Sequence, residues 1–345
     1  MKNLKPFFAL TSFLFAVTLV IPALLVLPFK DSHVNGMPGE KLQQAPNGEE
    51  SGIAADAAVE VAVYRTGQKK IEKLPLNKYL EGVVAAEMPA EFEEEALKAQ
   101  ALAARTYIVK QLMTEDKSGL PEGAQVSDSE LIHQVFKNDS DMKKIWGKDY
   151  TWKKKKIAQA VRSTDGQILT YNGKAITATF FSTSNGYTEN SEDYWENAFP
   201  YLRSVESPWD KNSPKFKNEI SIAVPEFEKR LGVKIGNSRT IGKIIGRTAG
   251  NRIGKVDFNG KILTGRKIRD ELDLRSTDFS WERHGNEIVI NTRGFGHGVG
   301  MSQYGANGMA AEGKTYQQIV KYFYQGVEIS PADNLLSAVT ASARR

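Results

Sequence analysis

No cysteine occurs anywhere in the 345 residues, which excludes disulfide stabilisation, thiol catalysis and cysteine-based zinc sites. Histidine is nearly as scarce, with His33, His133, His284 and His297 as the whole complement. A hydrolytic zinc site needs about three His or carboxylate ligands, and these four are scattered without His-Glu-x-x-His spacing. No Gly-x-Ser-x-Gly nucleophile elbow is present. A Ser-His-Asp arrangement stays open, because Ser182, Ser184, Ser302 and His297 exist. Repeats and low-complexity tracts are missing too. A large excess of one charge sign is also absent: the net charge is +5, and the one basic block is Lys153 to Lys156. That block abuts the apolar Ile157, Ala158, Ala160 and Val161. It is expected to solvate the start of an amphipathic helix, and no nucleic-acid partner is expected. A mildly basic surface also suits an anionic partner such as a cell wall or an acidic bilayer.

One long run without charge does exist. Pro6 to Phe29 carries no charged residue over 24 positions, enough to cross a hydrocarbon core of about 30 Å. Lys2 and Lys5 precede it, so the positive-inside rule predicts a cytoplasmic N-terminus and an extracytoplasmic remainder. The run exceeds a signal-peptide core, and no clear small-x-small cleavage site precedes Lys30. Residues 1–29 are therefore expected to be an uncleaved single-span anchor in the cell membrane. Residues 30–57 are rich in Gly, Pro, Asn, Gln and Glu and read as a flexible tether, with a root-mean-square span of roughly 30 Å.

The remainder is expected to be α+β: a mixed helix-and-strand core over 58–218 and 291–330, an inserted smaller β-rich lobe over 219–290, and a tail over 331–345. Val59 to Tyr64 alternates as a strand. Asn77 is placed to cap a helix through Ala86, which Pro89 must end because proline disfavours helical geometry at the residue before it. A second helix is expected from Glu91 to Met113, with Leu97, Ala101, Ala104, Ile108 and Leu112 as its buried stripe. Arg105 falls at the margin of that stripe, where a half-buried guanidinium needs an anionic or carbonyl partner. Ile168 to Phe181 reads as two strands around the Asn172-Gly173 turn. In the lobe, helices are expected at Pro225–Leu231 and Gly265–Leu272, and a last helix at Tyr316–Tyr324.

Between the first two helices Glu87 stands alone among apolar neighbours. A lone acid held in a partly dry corner is what single-residue acid/base chemistry requires; a surface glutamate near a helix end has the same sequence. The loop Arg293-Gly-Phe-Gly-His-Gly-Val-Gly300 offers two readings as well. Its glycines allow either close approach of an extended polar ligand, with His297, Ser302, Gln303 and Tyr304 at the rim, or tight packing. A phosphate-binding reading is weak, because this loop lacks the Walker ending and a dinucleotide context.

Several blocks occur together in order: Gly82–Tyr107, Phe180-Phe-Ser-Thr-Ser-Asn-Gly186, Pro200-Tyr-Leu202, Ser207-Pro-Trp-Asp210 and Gly294–Ala306. Together they resemble the stage II sporulation protein D family over roughly Leu76 to Tyr324. The resemblance implies a membrane-anchored lytic transglycosylase that cuts the MurNAc–GlcNAc linkage of peptide-stripped peptidoglycan glycan strands. It would work between mother-cell and forespore membranes during engulfment. The family's catalytic glutamate, in an Ala-Glu-Met-Pro motif, falls on Glu87. Arg105, Ser182, Ser184, Asn185, Tyr201, His297, Ser302, Gln303 and Tyr304 are the expected substrate-binding residues. Stage II sporulation proteins P and M are the implied partners. Some relatives hold zinc through a His-Cys pair, but this chain reads Ile132-His133-Gln134-Val135-Phe136. No metal or other cofactor is therefore expected, and His133 is left as a site-lining residue. A non-catalytic, glycan-binding amidase enhancer is the alternative reading.

Overall fold

The computed structural model describes residues 59–114, 119–129, 134–236, 238, 240–333 and 335–337. The expected anchor, the tether and His133 lie outside them. Among the described residues no helix is long and apolar enough to cross a membrane. Their architecture is α+β, as expected.

The core opens with β1 (Glu60–Arg65), paired antiparallel with β2 (Lys70–Pro75). The chain then passes directly into α1 (Leu76–Glu87), whose first N–H, from Leu76, donates to Val59 O at 2.8 Å. Asn77 does not cap this helix. Pro75 holds the N-cap position, and Asn77 lies inside the first turn with Oδ1 unpartnered among the described residues. The strand-to-helix hydrogen bond sets the start that the side chain was expected to set. Pro89 acts as expected: Met88 is extended, at φ −121° and ψ 142°, and its N–H closes the last turn on Val84 O.

The next helix, α2 (Glu94–Leu112), begins three residues later than Glu91. Residues 89–93 form a turn instead, pinned from outside by Lys153 on Glu91 (2.6 Å) and Lys156 Nζ on Phe92 O (2.5 Å). Ala96, Ala99, Leu102, Ala103 and Val109 are buried as well as Leu97, Ala101, Ala104 and Ile108. The helix is thus buried nearly all round, which a one-sided stripe did not anticipate. Its small alanines let the other helices approach closely. The short β3 (Val126–Ser127) joins β1 in parallel, and α3 (Asp139–Trp146) leads to α4 (Tyr150–Arg162), which packs on both α1 and α2.

The Asn172-Gly173 turn forms as expected, with φ of 49° and 73°, between β4 (Gln167–Tyr171) and β5 (Lys174–Ala175). The second strand is much shorter than expected. Phe180 and Phe181 form β6, which leaves the hairpin for a pairing made 121 residues later. A short helix, α5 (Ser191–Tyr194), follows.

Residues 217–293 carry a hydrophobic cluster distinct from that of the core. The elements are β7 (Lys217–Ala223), α6 (Val224–Leu231), β8 (Lys243–Arg247), β9 (Ile253–Phe258), β10 (Lys261–Thr264), α7 (Gly265–Leu272), β11 (Phe279–His284) and β12 (Glu287–Arg293). They make two antiparallel sheets, ordered β11-β12-β7 and β10-β9-β8. Phe227, Ile268 and Ile288 are at the centre of that cluster. The chain returns to the core as β13 (Met301–Ser302), parallel to β6, then α8 (Gln303–Ala311), α9 (Tyr316–Phe323) and β14 (Glu328–Pro331) on the free edge of β4. Ala332 and Leu336, placed in the expected tail, are buried.

Gly82 sits where α1 meets the Phe136–Lys137 segment: a Cβ there would lie 2.3 Å from the Phe136 ring and 2.4 Å from Lys137 O. Gly82→Ala is expected to cost about 1–3 kcal/mol, read as a lower urea midpoint, because a backbone oxygen has no rotamer with which to retreat. An unchanged midpoint would show that the contact yields freely.

Candidate active site

Glu87 is the last residue of α1, half-buried, with Val83, Val84 and Met88 buried around it. Gln303, the first residue of α8, reaches it: Gln303 Nε2 donates to Glu87 Oε2 at 3.2 Å, across 216 residues of sequence. Next to Gln303, the Tyr304 ring meets Phe92 edge-on at 4.9 Å, and Asn307 Oδ1 accepts from Glu93 N at 2.8 Å. The N-terminus of α8 therefore seals the same break between helices that exposes Glu87. Two phenols stand near. Burial pushes Tyr79 well above its ordinary range, with Tyr107 and Glu87 adding to the shift, and burial pushes Tyr107 up to about 12. Both stay neutral through the physiological range.

The position of Gln303 follows from a buried carboxylate that carried no expected role. Asp210 accepts from Ser184 Oγ (2.8 Å), Ser207 Oγ (2.5 Å), Ser302 Oγ (2.6 Å) and Ser184 N (3.0 Å). Burial raises its affinity for a proton, and these hydrogen bonds pull the other way. Ser302 in turn accepts from Gly305 N as the N-cap of α8. Ser184 and Ser302 are fully buried and build the frame around Asp210. The signal available in the sequence was the acid that closes Ser207-Pro-Trp-Asp210.

The glycine loop is a packing loop. A Cβ on Gly298 would lie 2.5 Å from the Arg252 guanidinium and one on Gly300 2.1 Å from Thr179 O. With φ of 89° and 82°, both also occupy the left-handed region. The ligand-approach reading of these glycines fails for that steric reason. Downstream, Gly308-x-x-x-x-Gly313-Lys314-Thr315 matches phosphate-loop spacing. Gly308 is inside α8 against Trp209 and Thr315 caps α9, so the strand–loop–helix context is missing.

The other expected site residues are placed as follows. Arg105 is fully buried and donates to Thr164 O (2.5 Å), Thr164 Oγ1 (2.6 Å), Val161 O (3.0 Å) and Asp165 Oδ1 (3.0 Å). It fastens α2 to the end of α4, and among the described residues these contacts give it a structural role. Tyr201 is also core, its hydroxyl accepting from Thr177 N at 3.0 Å. Asn185 Nδ2 donates to Gly250 O and Asp278 Oδ2, both at 3.0 Å. Ser182 O accepts from Tyr304 N at 3.1 Å. Only Gln303 among them has a hydrogen bond to Glu87 in the described residues.

His297 is half-buried among Trp195, Phe181 and Tyr194, at ring distances of 5.2, 5.7 and 5.7 Å. Its Nδ1 accepts from Val299 N at 3.0 Å, leaving the proton on Nε2. Burial, then Arg269 and Arg252, push its pKa down to about 3. Among the described residues no group of three or more His, Cys, Asp or Glu is placed to hold a metal.

A family model described as Stage II sporulation protein matches residues 64–171, the stretch that contains Glu87. Stage II sporulation protein D of Bacillus subtilis (strain 168) is 50% identical over 342 residues, 98% of this chain and 99% of that protein. The chain belongs to the stage II sporulation protein D family. Another member, from Bacillus amyloliquefaciens, is 51% identical over 344 residues, again 98% and 99% of the two chains. The chain is also similar to the Amidase enhancer of Bacillus subtilis (strain 168), 29% identical over 305 residues, 73% of this chain and 40% of that one.

The lowered pKa of His297 has a sign that can be checked. The unfolded chain takes up a proton near pH 6.5 and the folded one only near 3, so the stability is complete above about 6.5 and is lost as pH falls toward 3. The loss is on the order of 3–5 kcal/mol. His297→Gln should flatten the acid side of a stability–pH curve by close to one proton between those limits. A curve with an unchanged slope would show that the imidazole titrates normally.

Proposed function

We propose that this protein is a lytic transglycosylase that cleaves the MurNAc–GlcNAc linkage of peptide-stripped peptidoglycan strands. The observation that carries the reading is Glu87, half-buried where α1 stops, with the neutral amide of Gln303 donating to its carboxylate. Hydrolytic glycosidases use two carboxylates at set separations. One suffices when the sugar supplies its own nucleophile. Protonated Glu87 gives its proton to the glycosidic oxygen as the anomeric C–O bond breaks. The muramyl C6 hydroxyl then adds to the anomeric carbon, and its proton returns to Glu87. An anhydro-muramyl end forms, no water is consumed, and the acid is regenerated.

Glutamine suits such an acid because it can serve both of its states. Its N–H₂ donates to the carboxylate, and its carbonyl, after an amide flip, accepts from the carboxylic O–H. An arginine there would hold the anion and block the first proton transfer. The C-terminal end of α1 also favours the neutral acid, because the helix dipole is negative there. We further propose that residues 1–29 anchor the protein in the membrane, with the enzyme acting between mother-cell and forespore membranes. Stage II sporulation proteins P and M would be its partners in engulfment. A relative named Amidase enhancer favours a second reading, a glycan-binding scaffold without cleavage.

Glu87→Gln separates the two. Mass spectrometry of peptide-stripped strands should show anhydro-muramyl ends falling by about 10²–10⁴-fold, the usual worth of acid/base catalysis. Undiminished product from folded variant, or none from the native protein, would leave the scaffold reading. Gln303→Leu removes a donor to the carboxylate, so the basic limb of the pH–rate profile should move to higher pH. A limb that stays in place would mean that Gln303 does not bear on the proton.

A further inference from the structure

We propose that a polar cleft where the paired ends of β7, β11 and β12 meet the end of β8 is the subsite that reads a free carboxylate on the glycan; this rests on the glycan-cleaving reading above. The cleft has a volume of about 390 Å³, and Lys217, Arg247 and Arg293 line it with Asp278, Ser280 and Asn291. Three cations thus face one acid. That acid is already committed: Asp278, its side chain 3% exposed, accepts from Arg293 Nε and Asn185 Nδ2, each at 3.0 Å, and lies 3.8 Å from Arg247 Nη1. It orients the two guanidinia rather than filling the cleft. Their side chains remain 55% and 42% exposed, and each carries five N–H donors.

The strand register makes the same point independently. Lys217 stands directly opposite Arg293 in the β7–β12 ladder. Like charges so placed are destabilising, and an anion between them removes the conflict. The basic surface continues beyond the cleft, since Lys215 and Arg275 both lie over the Phe295 ring, at 5.4 and 5.3 Å from its centroid. Phe295 lies in the stretch of chain from Arg293 to Gln303. Those ten steps of chain limit the distance from the cleft to the Glu87 partner to about 35 Å, within reach of one oligosaccharide.

The ligand chemistry follows from what stem-peptide removal does. In an intact strand each muramyl lactyl group is an uncharged amide. Hydrolysis of that amide leaves a free carboxylate on every muramyl residue. A cationic cleft seated on the lactyl position therefore distinguishes a stripped muramyl residue from one whose lactyl group is an amide, and bidentate arginine recognition gives it geometry as well as charge.

Binding is best measured by calorimetry on the full chain carrying Glu87→Gln, which should not turn over. The probes are a peptide-free GlcNAc–MurNAc tetrasaccharide, the same sugar with its carboxylates converted to methylamides, and poly(glycerol phosphate). The carboxylate form should bind roughly tenfold tighter than the methylamide, with the preference shrinking as salt rises. Added Arg293→Gln should abolish the preference; Lys217→Gln, a change at an exposed side chain, should reduce it without a folding risk. Equal binding of both sugars, or a preference untouched by Lys217→Gln, would overturn the proposal. Displacement of the sugar by poly(glycerol phosphate) at equal concentration would do so as well, and assign the cleft to a phosphate polymer. Native protein that cuts both sugars at one rate sinks this inference and leaves the cleavage reading. Native protein that cuts neither, while the preference persists, does the reverse.

Discussion

Asp210 draws the hydroxyls of Ser184, Ser207 and Ser302 onto one buried carboxylate, and the start of α8 is set by that convergence. Ser302 spends one bond on Asp210 and accepts another from Gly305 N as helix cap. Gln303 is the next residue, so its reach to Glu87 is decided by where this cap sits. Gly305 and Gly308 permit the helix to lie directly on Ser207 and Trp209, where a Cβ would fall 2.3 Å from each. A buried acid of this kind gives modest net stability but is expensive to break, because its partners are left unpaired in a dry interior. It specifies one arrangement rather than merely a tight one.

The same device recurs at the other joints. Arg105 binds the carbonyls at the end of α4 and Asp165. Glu189 accepts from Thr248 Oγ1 at 2.6 Å and Gly250 N at 2.7 Å, and Arg252 lies 3.9 Å from it with both side chains buried. These contacts tie residues 248–252, which flank the second hydrophobic cluster, to the 187–189 segment of the core. Polar joints of fixed geometry set angles that apolar contacts leave free. Without cysteine, the chain relies on packing and such joints alone.

Much of the local structure was legible in the sequence. The Pro89 break, the Asn172-Gly173 turn, and the helices at 225–231 and 265–272 follow from backbone rules and periodicity, which act within a few residues. The boundaries that failed were set from afar. The start of α2 is displaced by Lys153, Lys156 and Asn307, and Phe180–Phe181 are taken by Met301–Ser302. The stripe expected on α2 failed for a related reason, since alanine is silent about which side it faces. Among the site residues, Gln303 was picked out only as part of a rim. Serines 184 and 302, Arg105 and Tyr201 looked like ligand groups because a polar side chain in a structural joint and one in a binding site are the same residue type.

By itself the sequence determined which chemistries were available: no thiol, few imidazoles, and one acid isolated beside a proline that had to end its helix. Those are properties of composition and of the backbone, and no folding is needed to read them. Which neutral group would face that acid was settled only in three dimensions. The two residues are 216 positions apart, and their meeting depends on a carboxylate, a cap and two glycines drawn from other parts of the chain. Local rules carry no information over such a separation; packing does.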